Sequence, residues 1–146
     1  MRLWHYVMIP VLPRQQLLGQ HRECCALRGH GWGKKHTIVD YVFRRPWEFL
    51  FYYHTLIIKE MKNRGYKPDP AWEEFEFRGY KCPAHDRSDI VRTRRDANYP
   101  EHDIPYLDSC VDNLYKKIQN APENKYDPAE CYRFYNWMGD HGYIIE

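Results

Sequence analysis

The sequence predicts a mostly α-helical protein, a compact single domain over residues 1–146 with three main helices and long irregular loops. Three observations lead there. Apolar residues recur at helical spacing in three segments, near 14–28, 46–64 and 103–120, each opened by a proline. The stretch from Tyr66 to Glu101 is rich in proline, charge and aromatics, and reads as loops with one helical turn. A chain of 146 residues is long enough for one domain with a real core.

In chain order, Met1 to Pro13 reads as an extended arm. Pro13 sits at or just before the first turn of a helix from Arg14 to Arg28. At about 100° per residue, Leu17, Leu18, His21, Cys24, Cys25 and Arg28 share the arc that can face a core. Gln16, Gln20 and Glu23 fall on the opposite arc, beside Gln15, Gly19, Arg22 and Ala26. Two very small residues there would let a ligand or nucleic-acid backbone approach. Gly29, Gly31 and Gly33 end the helix in a basic loop. Lys34 and Lys35 can grip phosphates while Trp32 meets a base or groove; alternatively Trp32 pins the loop to the core.

Thr37 to Phe43 is open between helical turn and extended chain. Pro46 opens the second helix, which runs to about Arg64, with Gly65 as its C′ residue. It is apolar almost all round, which suits the middle of a small domain, and His54 within it reads as a hydrogen-bonded core residue. Arg87, Arg92, Arg94 and Arg95 face two readings, phosphate contacts or ion pairs with Asp86, Asp89 and Asp96. Asp103-Ile104-Pro105 starts the third helix, to about Asn120, with Leu107, Val111, Leu114 and Ile118 as its apolar stripe. Pro128 begins a last short helical or turn segment whose aromatics form a stacking surface or a cap on the core.

The net charge of +2 conceals an asymmetry. Up to Lys67, 12 Lys/Arg face 4 Asp/Glu, and beyond it 10 face 16. A basic first half points to a polyanionic partner, against the alternative of a solvated basic surface. Five cysteines without CxxC spacing predict reduced thiols and a cytoplasmic protein. No segment is long and apolar enough for a signal peptide or a membrane span, so no membrane partner is expected.

Eight histidines and five cysteines allow a metal site by count, but no zinc spacing occurs and no metal is expected. P-loop and dinucleotide fingerprints are absent, and nothing local supports a Cys–His nucleophile pair. Glu23 remains. Beside Arg22 it could be a structural ion pair. The chain's α-amine, only a short arm away, gives it another role. With an ordinary pKa of about 7.7–8.0, that amine is partly neutral and nucleophilic at neutral pH, where an unperturbed lysine is not.

Gln15, Leu17, Arg22 and Glu23 stand at distances from Met1 that resemble those of the phage-type pyrimidine-dimer DNA glycosylases, the endonuclease V family of ultraviolet-damage repair. The resemblance continues in Glu48-Phe49-Leu50, Arg64-Gly65-Tyr66, Phe77-Arg78-Gly79, the trio Leu114, Lys117 and Ile118, and Tyr132-Arg133-Phe134-Tyr135. It implies a compact helical domain and a glycosylase with abasic-site lyase activity. Such an enzyme acts on lesion-bearing or abasic double-stranded DNA, as a monomer and without metal or organic cofactor. An α-amine displaces the damaged base through an imine and Glu23 assists. Here that amine is Met1's, because Arg2 after it is too large for removal of the initiator. The resemblance further implies that Arg2 and Arg22 hold phosphates beside the lesion and that Lys117 adds a basic contact. Gln16 stands where the family has a histidine, and Ala26 where it has an arginine that Arg28 or Lys34 replaces. The DNA-binding set is then Arg2, Gln15, Gln16, Arg22, Arg28, Trp32, Lys34, Lys35 and Lys117. Trp4, His5 and Trp32 are candidates to line a pocket for an extruded base.

Overall fold

Proline, aspartate and glycine punctuate the helices of this chain. The computed structural model describes residues 2–29, 39–86 and 99–143. Among them are five α-helices: α1 (Arg14–Arg28), α2 (Tyr41–Arg44), α3 (Trp47–Asn63), α4 (Ile104–Gln119) and α5 (Pro128–Asp140). Two 3₁₀ turns, Tyr6–Val11 and Pro70–Glu73, complete the regular structure, and no strand occurs in the described residues.

The helix starts differ in what caps them. Asp103 and Asp127 cap α4 and α5 by accepting from the Tyr106 and Ala129 amides, each ahead of a proline in the first turn. Pro13 gives α1 no side-chain cap. Instead Glu130, from α5, accepts the Arg14 amide at 2.8 Å, which sets a carboxylate at the positive end of α1. Arg78 does the reverse at the other end, donating to the carbonyls of Arg28 and Gly29. Gly65 follows α3 at φ +89°, a conformation that costs other residues and that glycine accepts freely.

Helix α3 is central. It packs on α1, on α2 and on the Tyr6–Val11 turn, which also contacts α5. The core draws Leu3, Met8 and Leu12 from the arm, Leu17 and Cys24 from α1, Ile57 from α3, Leu114 from α4 and Phe134 from α5. The five cysteines are free thiols. No helix of the described residues is long and apolar enough to cross a membrane.

Two expectations change. The arm is not extended, because His5 accepts from the Val7 amide and starts a 3₁₀ turn that tolerates Pro10. The last segment is a full helix of 13 residues, so the main helices number four. Its aromatics cap the core through Phe134, while Tyr132 is exposed.

Candidate active site

Gln20 lies on the arc of α1 expected to face a ligand, yet it is only 1% exposed. The arm has folded onto that arc. Its Oε1 accepts from the Trp4 amide at 2.6 Å, and its Nε2 donates to Arg2 O at 3.1 Å and to Glu23 Oε2 at 2.8 Å. The Tyr53 hydroxyl of α3 closes the group, 2.6 Å from Trp4 O and 2.9 Å from Gln20 Oε1. A backbone N–H must meet an oxygen, so Trp4 fixes which way the carboxamide points. All polar positions of the amide are engaged.

Glu23 is half-buried. Burial pushes its carboxyl above the usual range, while positive charges, Arg22 and Lys117 among them, act in the other direction. Arg22 and Lys117 are exposed, so the carboxylate sits within a cationic rim open to solvent. Arg2 is half-buried at the seam of the arm and α4. Its guanidinium lies 6.0 Å from the Trp4 ring centre and 5.9 Å from that of Tyr106, and donates to Cys110 Sγ. Tyr106 ties the same seam by donating to Leu3 O.

The other expected contacts divide. Gln15 and Gln16 each spend one amide N–H on the turn before α5, donating to Lys125 O and to the Tyr126 hydroxyl. Arg28 does not reach a DNA surface. It is 5% exposed and donates to the carbonyls of Trp72, Glu74 and Phe77 and to His54 Nδ1. Burial pushes its pKa down to about 10, so it stays charged at neutral pH. Trp4 and His5 are buried, which removes them as lining of an open pocket. Met1, Trp32, Lys34 and Lys35 lie outside the described residues.

One group of possible metal ligands occurs among the described residues: His21, Cys25 and His54, with ligand atoms within 4.8 Å of one another. Hydrogen bonds account for it. Arg28 can only donate, so His54 Nδ1 accepts and Nε2 keeps the proton. His54 Nε2 then donates to His21 Nδ1 at 2.9 Å, and His21 Nε2 faces Cys25 Sγ at 3.8 Å. A metal would have to displace the His54 proton beside a guanidinium. His54 is thus the hydrogen-bonded core residue its position suggested, held neutral by burial and by Arg28.

Sequence reasoning missed Gln20 as a site residue. In helical projection it falls between Cys24 and Leu27, both buried, and that was the available clue.

A family model described as pyrimidine dimer DNA glycosylase matches residues 1–74. The match takes in the arm, α1 and α3, and so every member of the Gln20 group. No curated protein and no solved structure matches. The later blocks of the resemblance, from Phe77-Arg78-Gly79 onward, lie beyond the matched residues. With half of the chain matched, including the helix that carries Glu23, this protein belongs to the pyrimidine dimer DNA glycosylase family, whose substrate is DNA.

Proposed function

We propose that the chain is a DNA-repair glycosylase with abasic-site lyase activity, and that its nucleophile is the α-amine of Met1. The neutral amine attacks C1′ of the damaged nucleotide. The C1′–N bond breaks, and the base leaves with the electron pair and takes up a proton. The C1′–O4′ bond then opens and O4′ is protonated, leaving an imine. The imine acidifies C2′; loss of that proton and cleavage of the C3′–O3′ bond cut the strand by β-elimination. Glu23 stabilises the positive sugar and carries protons between these steps. Arg2, Arg22 and Lys117 hold the phosphates, with Gln15 and Gln16 beside them. On their sequence position Lys34, Lys35 and Trp32 join these DNA contacts, whereas buried Arg28 does not.

The observation that carries this reading is the shared amide of Gln20. It binds Arg2 O and Glu23 Oε2 together, so the residue after the proposed nucleophile is anchored beside the proposed acid–base group. The substrate is duplex DNA with a pyrimidine dimer or an abasic site, and the working unit is a monomer. A non-catalytic DNA-binding module of the same fold is the competing reading. Reduction with borohydride during incubation with either duplex separates the two. The enzyme gives a covalent protein–DNA adduct. A protein with a free N-terminus that forms none with either duplex is a binding module.

A further inference from the structure

We propose that Gln20 is a positioning residue that holds the start of the chain and the Glu23 carboxylate in one fixed spatial relation for the reaction above. The inference rests on that reading. A carboxamide has two N–H bonds about 120° apart, and here both are spent, one on Arg2 O at 3.1 Å and one on Glu23 Oε2 at 2.8 Å. Those lengths put the two acceptors about 5 Å apart. Arg2 directly follows Met1, so this spacer fixes the point beside Glu23 from which the chain leads to the proposed α-amine.

The other half of the amide makes the spacer rigid. Oε1 is bound to the Trp4 amide and neighbours the Tyr53 hydroxyl, and Tyr53 is itself 4% exposed on the central helix α3. Neither end of the side chain can turn without leaving a buried polar group unpaired. A group held to within fractions of an ångström is what a two-step amine reaction needs, since misplacement by about 1 Å costs on the order of 100-fold in rate. Gln20 touches no reacting atom in this scheme and acts through Glu23 and Arg2.

There is a chemical consequence as well. An N–H donated to a carboxylate favours its ionised form, which opposes the burial of Glu23. Among the described residues, the charged groups that act on Glu23 are Arg22 on its own helix and Lys117 on α4. Gln20 is a neutral donor added to that set, from within the core.

The test uses Gln20→Glu, which keeps an oxygen for Trp4 and Tyr53 but replaces the donor half. Single-turnover adduct formation on an abasic duplex is followed from pH 5 to 9, with thermal unfolding measured alongside. The variant is expected to form the adduct at least tenfold more slowly at its optimum, with the acid limb of its profile displaced to higher pH. Gln20→Met should slow the reaction similarly without adding a charge, so its acid limb moves less. A wild-type protein that forms no adduct overturns the enzyme reading and this inference with it. A wild-type protein that forms the adduct, with both variants folded and within twofold of it at every pH, overturns this inference alone.

If a variant does not fold, the wild-type protein decides. Its Gln20 side-chain amide protons, followed by NMR, should titrate with a midpoint equal to the acid limb of the reaction. Amide shifts that do not change with pH overturn the inference.

Discussion

Arg28 gives the sharpest prediction about what holds the site together. Its guanidinium is buried and makes four hydrogen bonds: three to carbonyls at Trp72, Glu74 and Phe77, one to His54 Nδ1. It joins α1 and α3 to a loop 44 to 49 residues further along the chain than itself. Arg28→Met keeps the stem and removes all four bonds. At about 1 kcal/mol net for each, with three carbonyls left in search of a donor, the loss is about 3–5 kcal/mol. A domain of this size has roughly 5–15 kcal/mol in total. Urea unfolding reads this directly. With a slope near 2 kcal/mol/M, the midpoint should fall by about 2 M. Arg28→Lys should recover a minority of the loss, because one ammonium cannot span three carbonyls. If Arg28→Met leaves the midpoint within about 0.5 M of wild type while DNA affinity collapses, the structural role is wrong and Arg28 belongs to the DNA surface.

Further outcomes follow from the same geometry. Glu23→Gln should bind abasic DNA normally but cleave it about 100-fold more slowly or worse, and unchanged single-turnover cleavage removes Glu23 from the mechanism. Because burial raises the folded-state pKa of Glu23, its ionisation costs stability as pH rises through that value, so Glu23→Gln should match or exceed the wild-type melting temperature at pH 8. The histidines run in the opposite sense. Burial lowers His5, His21 and His54 and pushes His102 down to about 3, so the unfolded chain binds protons first. Stability is then complete above about pH 6.5 and lost below it, His102 alone accounting for about 2 kcal/mol at pH 5. Flat stability from pH 7 to 5 in urea titrations would contradict neutral burial. Arg22→Ala and Lys117→Ala should each weaken binding to all sequences and reduce the salt slope by about 0.9, measured by fluorescence anisotropy. An unchanged slope places that residue away from phosphate.

The helices were legible where punctuation and periodicity agree. Pro13 and Gly29 bracket α1 at the bounds observed, and Pro46 with Gly65 bracket α3. The fourth long helix opens with Asp127-Pro128, the same chemistry that starts α4, but its aromatics hid a normal helical stripe through Phe134 and Met138. The 3₁₀ turn of the arm was hidden because Pro10 argues against α-helix and is silent about a three-residue turn.

Within the candidate site, Glu23 could be read from its position on α1 and from the resemblance. For Gln20 the helical projection hints only at burial beside Cys24 and Leu27, because the partners that give it a role come from other parts of the chain. Trp4 and Arg2 lie 16 and 18 residues before it and Tyr53 lies 33 after it. Arg28 fails as a DNA contact for a related reason. Charge counts place it in the basic half, but the carbonyls that claim it belong to a loop whose return to α1 no local pattern announces.

The proposed chemistry depends on the α-amine of Met1 as the nucleophile. Reducing the imine with borohydride, digesting the adduct and mapping the modified peptide by mass spectrometry tests it most directly. The expected result is the sugar remnant on the α-nitrogen of Met1, and no adduct once that amine is acetylated. A remnant on the ε-amine of a lysine, with the α-amine unmodified, would contradict it.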